Sequence, residues 1–272
     1  MSGIPVTVII PVKDEERNLE KCLGLLSDFC QIIVVDSQST DDTVQIARSF
    51  GAEVQQFHWN GKFPKKRNWA LRNLTIKNEW VFFLDADEYV TNAFLSEMQK
   101  KIKNSSINGY WVTYQVHFMD KKLNYGDKLK KLSLFRHDKG EYEKIEEDSW
   151  SHLDMEVHEQ AVVEGETGQI QAPVDHRDYK GLEKYIDRHN QYSSWQARRF
   201  VNLSKDEFKS LSWRKWLKYC LMQVGVLPVV FFIGCYFLKL GFLDGREGFY
   251  YAVYKSYYFF QVQTKIKESL EE

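Results

Sequence analysis

Apolar and polar positions follow two alternating rhythms over the first ninety residues. Val6-Thr-Val-Ile-Ile-Pro-Val12 is an unbroken, largely β-branched run, the pattern of a strand covered on both faces in a parallel sheet. Lys13 to Asn18 is polar, and then Leu19, Cys22, Leu23, Leu25 and Leu26 recur at helical spacing. A second run, Gln31-Ile-Ile-Val-Val-Asp36, stops at an aspartate, and Asp41, Asp42 and Thr43 supply acidic residues and a cap for a helix over 43–50. A third strand is predicted over 52–57, a helix over 65–74, a fourth buried strand at Trp80-Val-Phe-Phe-Leu-Asp85 and a helix over 91–103. This alternation predicts a doubly wound open α/β sheet, mostly parallel and flanked by helices, whose ligands sit beyond the carboxyl ends of the strands. Asp14, Asp36 and Asp85 fall at those ends.

The rhythm changes after Gly109. Residues 110–118 and 131–136 alternate as exposed or mixed-sheet strands do, a glutamate-rich stretch occupies 141–148, and 176–199 reads as a helix carrying tyrosines and arginines. The last sixty residues differ again. Trp213-Arg-Lys-Trp-Leu-Lys218 is basic and aromatic, and 219–240 is a nearly uncharged apolar run interrupted by Gly225, Pro228 and Gly234. A second aromatic run covers 249–260. An apolar run of ~20 residues has the length of a membrane span, while the glycines, the proline and the Trp/Tyr/Lys/Arg flanks favour a segment lying in the interface. The pattern therefore divides the chain into an α/β domain over 1–205, in two halves (1–105 and 106–205), and a helical membrane-associating region over 206–272. Residues 213–260 are expected to meet the membrane, as a monotopic element or a single span. The same aromatic surface would also serve a homodimer.

Composition narrows the picture only in places. With 43% hydrophobic residues in 272, a large core needs no disulfide or metal staple. A formal charge of −1 gives no support for nucleic-acid binding, which calls for a basic excess. The four cysteines lack a CxxC pair and read as small buried hydrophobes in a reducing compartment. The N-terminus runs into a strand without a basic leader, so the N-terminal part is expected in the cytoplasm.

Chemistry concentrates at Asp85-Ala86-Asp87. Two carboxylates placed just after a buried strand are able to share a hard divalent ion, Mg²⁺ or Mn²⁺, which bridges protein oxygens to substrate phosphates. The competing explanation is a helix N-terminus, since a helix follows. Asp36, ahead of the turn Ser37-Gln-Ser-Thr-Asp-Asp-Thr43, is suited to accept hydrogen bonds from a base or ribose; capping explains Asp41, Asp42 and Thr43 but not Asp36. Lys66 and Arg67, on a helix with Asn68, are placed to meet phosphate oxygens, or else form a solvated basic face.

Pro11-Val-Lys-Asp-Glu-Glu-Arg-Asn-Leu19, Val34-Val-Asp-Ser-Gln-Ser-Thr-Asp-Asp-Thr43, Lys65-Lys-Arg-Asn-Trp-Ala-Leu71 and Phe83-Leu-Asp-Ala-Asp-Glu88 occur in that order. Together they resemble family 2 glycosyltransferases of the GT-A fold, and within them the bacterial lipopolysaccharide-core β-1,4-glucosyltransferase branch. The resemblance extends to Met155-Glu-Val-His-Glu159, Asp175-His-Arg-Asp-Tyr179 and Lys239-Leu-Gly-Phe-Leu-Asp-Gly245. It implies an inverting transfer of a sugar, a hexose, from a nucleotide-diphosphate donor, a UDP-sugar, to a hydroxyl of a lipid-linked or lipopolysaccharide-type glycan at the cytoplasmic face of the bacterial inner membrane. Pro11, Asp14 and Glu16 would line the nucleotide pocket, with Ser37 and Ala86 beside it. Asp36 would contact uracil or ribose, and Asp85 the ribose or a metal-bound water. Asp87 would hold the metal, with Asp85 and His176 as further ligands.

Inversion needs a base for the acceptor hydroxyl. The resemblance points to Glu159 in Val157-His158-Glu159, with Asp154 and Glu156 as competitors, although the common Glu-Asp form of that motif is missing here. A polyprenyl-phosphate sugar synthase is the alternative within the same fold. A nucleotidyltransferase is more distant, because the glycine-rich basic loop it uses is lacking after the first strand.

Overall fold

A computed structural model of the chain describes residues 3–145, 150 and 160–271. In chain order its elements are β1 (Ile4–Val12), α1 (Glu16–Gly24), β2 (Phe29–Asp36), α2 (Thr43–Ser49), β3 (Glu53–Gln56), α3 (Lys66–Asn73), β4 (Trp80–Phe83), β5 (Glu88–Tyr89), α4 (Asn92–Lys101), β6 (Ile107–Phe118), β7 (Lys121–Lys122), β8 (Leu129–Arg136), β9 (Gly140–Tyr142), β10 (Ala161–Val163) and β11 (Glu166–His176). Helices α5 (Leu182–Val201), α6 (Lys205–Ser210), α7 (Trp213–Gln223), α8 (Leu227–Ile233) and α9 (Gly245–Glu271) follow. A π-helical turn, Gly234–Leu238, and a 3₁₀ turn, Gly241–Asp244, lie between α8 and α9.

The strands run in the order β3-β2-β1-β4-β8-β6-β11-β5, with β7 on β6. The first four pair in parallel; β8 lies antiparallel on β4, and β6 antiparallel on β8. The open α/β sheet expected from the sequence is present, but it is mixed: its parallel half is continued by antiparallel strands where the sequence pattern predicts a mostly parallel sheet. The unbroken apolar runs have the anticipated cause. Val6, Val8, Ile10 and Val12 of β1 enter one core layer with Val34 and Phe82, while Ile9 faces the other with Ile33, Val35, Val81 and Phe83. Both faces of these strands are dry, so polar alternation is absent.

One departure from the sequence pattern lies between β10 and α5. The helix expected over 176–199 begins only at Leu182, and residues 166–176 form the long strand β11 instead. Its phase is carried by Ile170, Ala172 and Val174, partly masked by interleaved glutamines and Pro173. By packing, one compact unit comprises the chain up to Gln115 together with Leu129–Asp178, and the other Val116–Lys128 with Tyr179 onward. In the second unit helix α5 packs with the C-terminal helices, Tyr185 and Ala197 joining cores built from α7, α8 and α9.

The helical unit explains the motif at 239–245. Asp244 is buried and its carboxylate accepts the backbone N–H groups of Asn124 and Tyr125 at 3.1 and 2.8 Å, which fastens the excursion 116–128 to this unit. A side chain at Gly248 would collide with the Gly241 carbonyl. The long apolar run is broken where its glycine and proline predict. Helix α7 ends before Gly225, which is left-handed at φ 83°, and Pro228 occupies the first turn of α8. Among the described residues no single helix is long and apolar enough to cross a membrane; Leu227–Leu238 and Gly241–Glu271 would pass together but are bent by 70°.

Phe82 is fully buried and its ring lies 5.4 Å from that of Phe94. Replacing it with alanine is expected to cost about 3–5 kcal/mol, measured by urea unfolding of the purified protein.

Candidate active site at the carboxyl rim of the sheet

Three loops meet at the ends of β1 and β2. Ser37 N–H donates to the Val12 carbonyl at 3.0 Å. The Asp14 N–H donates to Ser39 Oγ (2.8 Å), and Asp14 Oδ1 accepts the Thr40 N–H (2.8 Å). Glu16 N–H donates to Asp41 Oδ2 (3.1 Å), while Glu16 Oε2 accepts from Asp42 N–H (3.3 Å). Lys66 is buried and its ammonium donates to the Val12 carbonyl at 3.1 Å. Asp14 and Gln38 hold left-handed backbone conformations, φ 53° and 59°, tolerated where short polar side chains tie down a turn.

Asp36 is buried and serves this turn directly. Its carboxylate accepts from Ser39 N–H (3.1 Å to Oδ2), from the Ser39 hydroxyl, and from Gln56 Nε2 at 2.9 Å. Asp36 thus holds the loop together, and Asp41 accepts the first N–H of α2 from Thr43, while Asp42 makes no side-chain cap bond. Beside it, Ser37 Oγ is buried and meets no hydrogen-bond partner among the described residues, so it retains a donor and an acceptor for a ligand. Pro11 pairs across the ladder with Val35.

The acidic turn after β4 lies along the same rim. Ile9 of β1 pairs with Phe83 and Val12 with Asp36. Asp36 and Asp85 therefore flank β1 at its carboxyl end, roughly 10 Å apart at ordinary strand spacing. Ala86 is buried. Pairing of β5 with β11 places Glu88 opposite His176, and Arg177 N–H donates to the Asp87 carbonyl at 3.0 Å. This register brings His176 Nε2 to 3.8 Å from Asp87 Oδ1, with both side chains mostly buried at 13% and 14% exposure.

The two aspartates differ in their surroundings. Asp85 accepts from Arg67 at 3.0 Å on Oδ1 and from Lys131 Nζ at 2.8 Å on Oδ2. Burial opposes its charge, but Lys131 and Arg67 outweigh that and hold the carboxyl well below the usual range. Asp87 is pushed up to about 7 by burial first, then by the charges of Asp85 and Asp178, with Lys131 only partly offsetting them. Excess negative potential at an oxygen donor beside an imidazole nitrogen fits a divalent cation. Asp87 and His176 are the groups able to hold one. Asp85, expected as a third ligand, has each oxygen in an ion pair, and among the described residues no three His, Cys, Asp or Glu side chains converge as a ready ligand set.

Lys66 and Arg67 are not a solvated face: Lys66 is buried, and Arg67 is 16% exposed and stacks over the Tyr142 ring at 5.2 Å. Glu159, Asp154 and Glu156 lie outside the described residues. Two participants carried no distinguishing sequence signal. Glu88 looks like part of a helix N-terminus, and Lys131 is one of several lysines before a strand.

The profile of Glycosyl transferase family 2 matches residues 7–155. The chain belongs to this family. It is 23% identical over 269 residues to a Rickettsia typhi protein named an uncharacterized glycosyltransferase, covering 97% of this chain and 87% of the other. It is 26% identical over 276 residues to the lipopolysaccharide core biosynthesis glycosyltransferase LpsC of Rhizobium meliloti, covering 97% and 92%. Among solved structures it resembles S. aureus TarS 1–349 with a TM-score of 0.47 at 16% identity, covering 98% and 91%. The protein is thus a family 2 transferase, as its motifs implied, with a lipopolysaccharide-core enzyme among its relatives.

The Asp87 environment yields a signed prediction. Its carboxyl sits near 7 in the folded chain against an ordinary value near 3.9, so the folded state binds the extra proton between about pH 4 and 7 and wild-type stability falls as pH rises through that window. Without metal, Asp87→Asn is expected to raise unfolding free energy at pH 8 by ~1–3 kcal/mol. The gain should disappear toward pH 4, as read by urea unfolding in EDTA at both pH values.

Proposed function

We propose that this family 2 enzyme transfers a hexose, with inversion, from a UDP-type donor to a hydroxyl of a lipid-linked or lipopolysaccharide-type glycan, and that it needs Mg²⁺ or Mn²⁺. The observation that carries the reading is the asymmetric acidic turn: Asp85 fixed by two cations, and Asp87 left electronegative beside His176. A divalent ion would be held by Asp87 and His176 and would supply positive charge for the donor diphosphate. Asp85 would meet the ribose. Asp36 and Ser37, with Pro11, Asp14, Glu16 and Ala86 around them, receive the nucleoside. Arg67 and Lys66 stand by the phosphates.

Inversion requires the acceptor hydroxyl to attack opposite the diphosphate while a carboxylate takes its proton. Glu159 is assigned that role. Asp87→Ala is expected to lower transfer at least about a thousandfold with an unchanged circular dichroism spectrum, and excess EDTA should do the same to wild type. Full activity in either case removes the metal. Glu159→Gln should be comparably impaired; retained transfer would instead support a polyprenyl-phosphate acceptor, which is already ionised and needs no base.

The helical unit supports a membrane-facing site of action on the cytoplasmic side. Val229, Ile233, Phe237 and Leu238 recur along α8 and the π-helical turn, and all are exposed, Leu238 at 78%. Phe237, Phe242 and Phe249 gather around Tyr236 with ring centroids 5.0–6.2 Å apart. Residues 213–243 contain Arg214, Lys215, Lys218 and Lys239 and no acidic residue. An exposed aromatic and aliphatic face with basic flanks suits shallow insertion into an anionic leaflet, and the 70° bend suits a hairpin that does not cross. In vesicle flotation the full-length protein should bind phosphatidylcholine–phosphatidylglycerol vesicles more tightly than phosphatidylcholine alone, and Phe237→Ser with Leu238→Ser should weaken binding about tenfold. Unchanged flotation combined with loss of self-association would assign the face to a dimer.

A further inference from the structure

Asp85 is gripped on every polar atom it has. Its N–H donates to Glu88 Oε2 at 3.0 Å, and its carbonyl accepts the Glu88 N–H at 2.9 Å. One carboxylate oxygen accepts from Arg67 and the other from Lys131 Nζ. The same Lys131 Nζ donates to Glu88 Oε1 at 2.5 Å. Asp85, Glu88 and Lys131 thereby form a closed ring in which main chain and side chain of Asp85 are fastened through one buried glutamate, 1% exposed.

Strand β8 lies antiparallel beside β4, pairing Trp80 with Arg136, Val81 with Phe135 and Phe82 with Leu134. It thereby carries Lys131, three residues before Leu134, to the turn after β4, where its ammonium meets Asp85 and Glu88. The lysine is steadied from its other side, its ammonium 5.0 Å from the Tyr114 ring centre, and the Tyr114 hydroxyl lies 2.8 Å from Ser133 Oγ.

We propose that Lys131 and Glu88 are a positioning pair for donor recognition: they fix the Asp85 carboxylate in one orientation, so that it faces the donor and does not swing toward the ion at Asp87. This rests on the donor reading above. A carboxylate at a loop with free side-chain rotation would sample several orientations, and holding it in one lowers the cost of meeting the ligand. Groups that orient a metal-site or substrate-site residue without touching the ligand typically change affinity or activity by 10–100-fold.

The test compares wild type, Glu88→Gln, Lys131→Met and the double variant, all full-length, by calorimetric titration of UDP in the presence of Mn²⁺ below every melting transition. Each single variant is expected to weaken UDP binding roughly tenfold. The double variant should be no weaker than the worse single one, because both changes open the same ring. In transfer assays the loss should appear in the donor KM and leave the acceptor KM unchanged.

Glu88 is the discriminating position, being too buried to touch a nucleotide. If Lys131→Met weakens binding and Glu88→Gln does not, Lys131 meets the donor itself and the positioning pair is wrong. Wild-type affinity in both single variants, or a lower melting temperature with unchanged affinity, overturns it equally. A wild-type protein that binds no UDP with Mn²⁺ overturns the donor reading and this pair with it; binding by wild type with unaltered variants removes the pair alone. Should Lys131→Met not fold, Glu88→Gln decides the matter by itself.

Discussion

Everything at this site follows from crowding three carboxylates, Asp85, Asp87 and Glu88, into four residues at the rim of a sheet whose two faces are dry. Charges so placed repel one another and lose hydration, and the fold must supply cations from elsewhere in the chain. It supplies two. Arg67 comes from α3, packed by the Asn68 side chain, which both donates to the Tyr142 carbonyl and accepts its N–H at 2.9 Å. Lys131 comes from β8, which pairs antiparallel with β4 and carries the lysine to the acidic turn. Arg67 goes to Asp85 and Lys131 is shared by Asp85 and Glu88, leaving Asp87 with surplus negative potential. A sheet that remained parallel beyond β4 would have put some other residue beside the acidic turn, so the switch to antiparallel pairing is itself part of the site.

The parallel half of the sheet was legible because its physics is local. Val6 to Val12 and Trp80 to Leu84 are apolar on both faces, and few structures other than a covered strand accept such runs. The acidic residues at their ends stand out because carboxylates seldom follow a dry strand without a task. The antiparallel half was less legible because its pairings are non-local. In β11 the alternation of Ile170, Ala172 and Val174 was present, and His176 continues that phase, but glutamines and a proline between them blurred the period. Lys131 was illegible for a different reason. Lys128, Lys130 and Lys131 are chemically equal, and only the ladder decides which one turns toward a carboxylate. Lys66 and Arg67 read as phosphate contacts or a solvated face, and burial instead sets Lys66 on the Val12 carbonyl and Arg67 on Asp85.

The helical unit shows the same contrast between signals carried by single residues and those carried by packing. Gly225 and Pro228 announced the break in the apolar run through backbone restrictions that no context removes. The attachment of α5 had no such signal. It follows from pairings such as Lys265 on α9, whose ammonium donates to the Asn190 carbonyl and side chain, Ser193 Oγ and Ser194 Oγ at 2.6–2.9 Å. It follows also from Phe118, ringed by Tyr179, Tyr185 and Tyr251 at 5.2–5.6 Å. Each element alone reads as an amphipathic helix or a mixed strand; the shared aromatic core exists only once they meet.

Two aspartates separated by one alanine thus acquire opposite chemistry from their surroundings. Asp85 is held ionised by Lys131 and Arg67 against its burial, while burial and the charges of Asp85 and Asp178 push the Asp87 carboxyl up. The difference is set largely by Lys131, forty-six residues away from Asp85 in sequence, which no inspection of the motif alone could reveal.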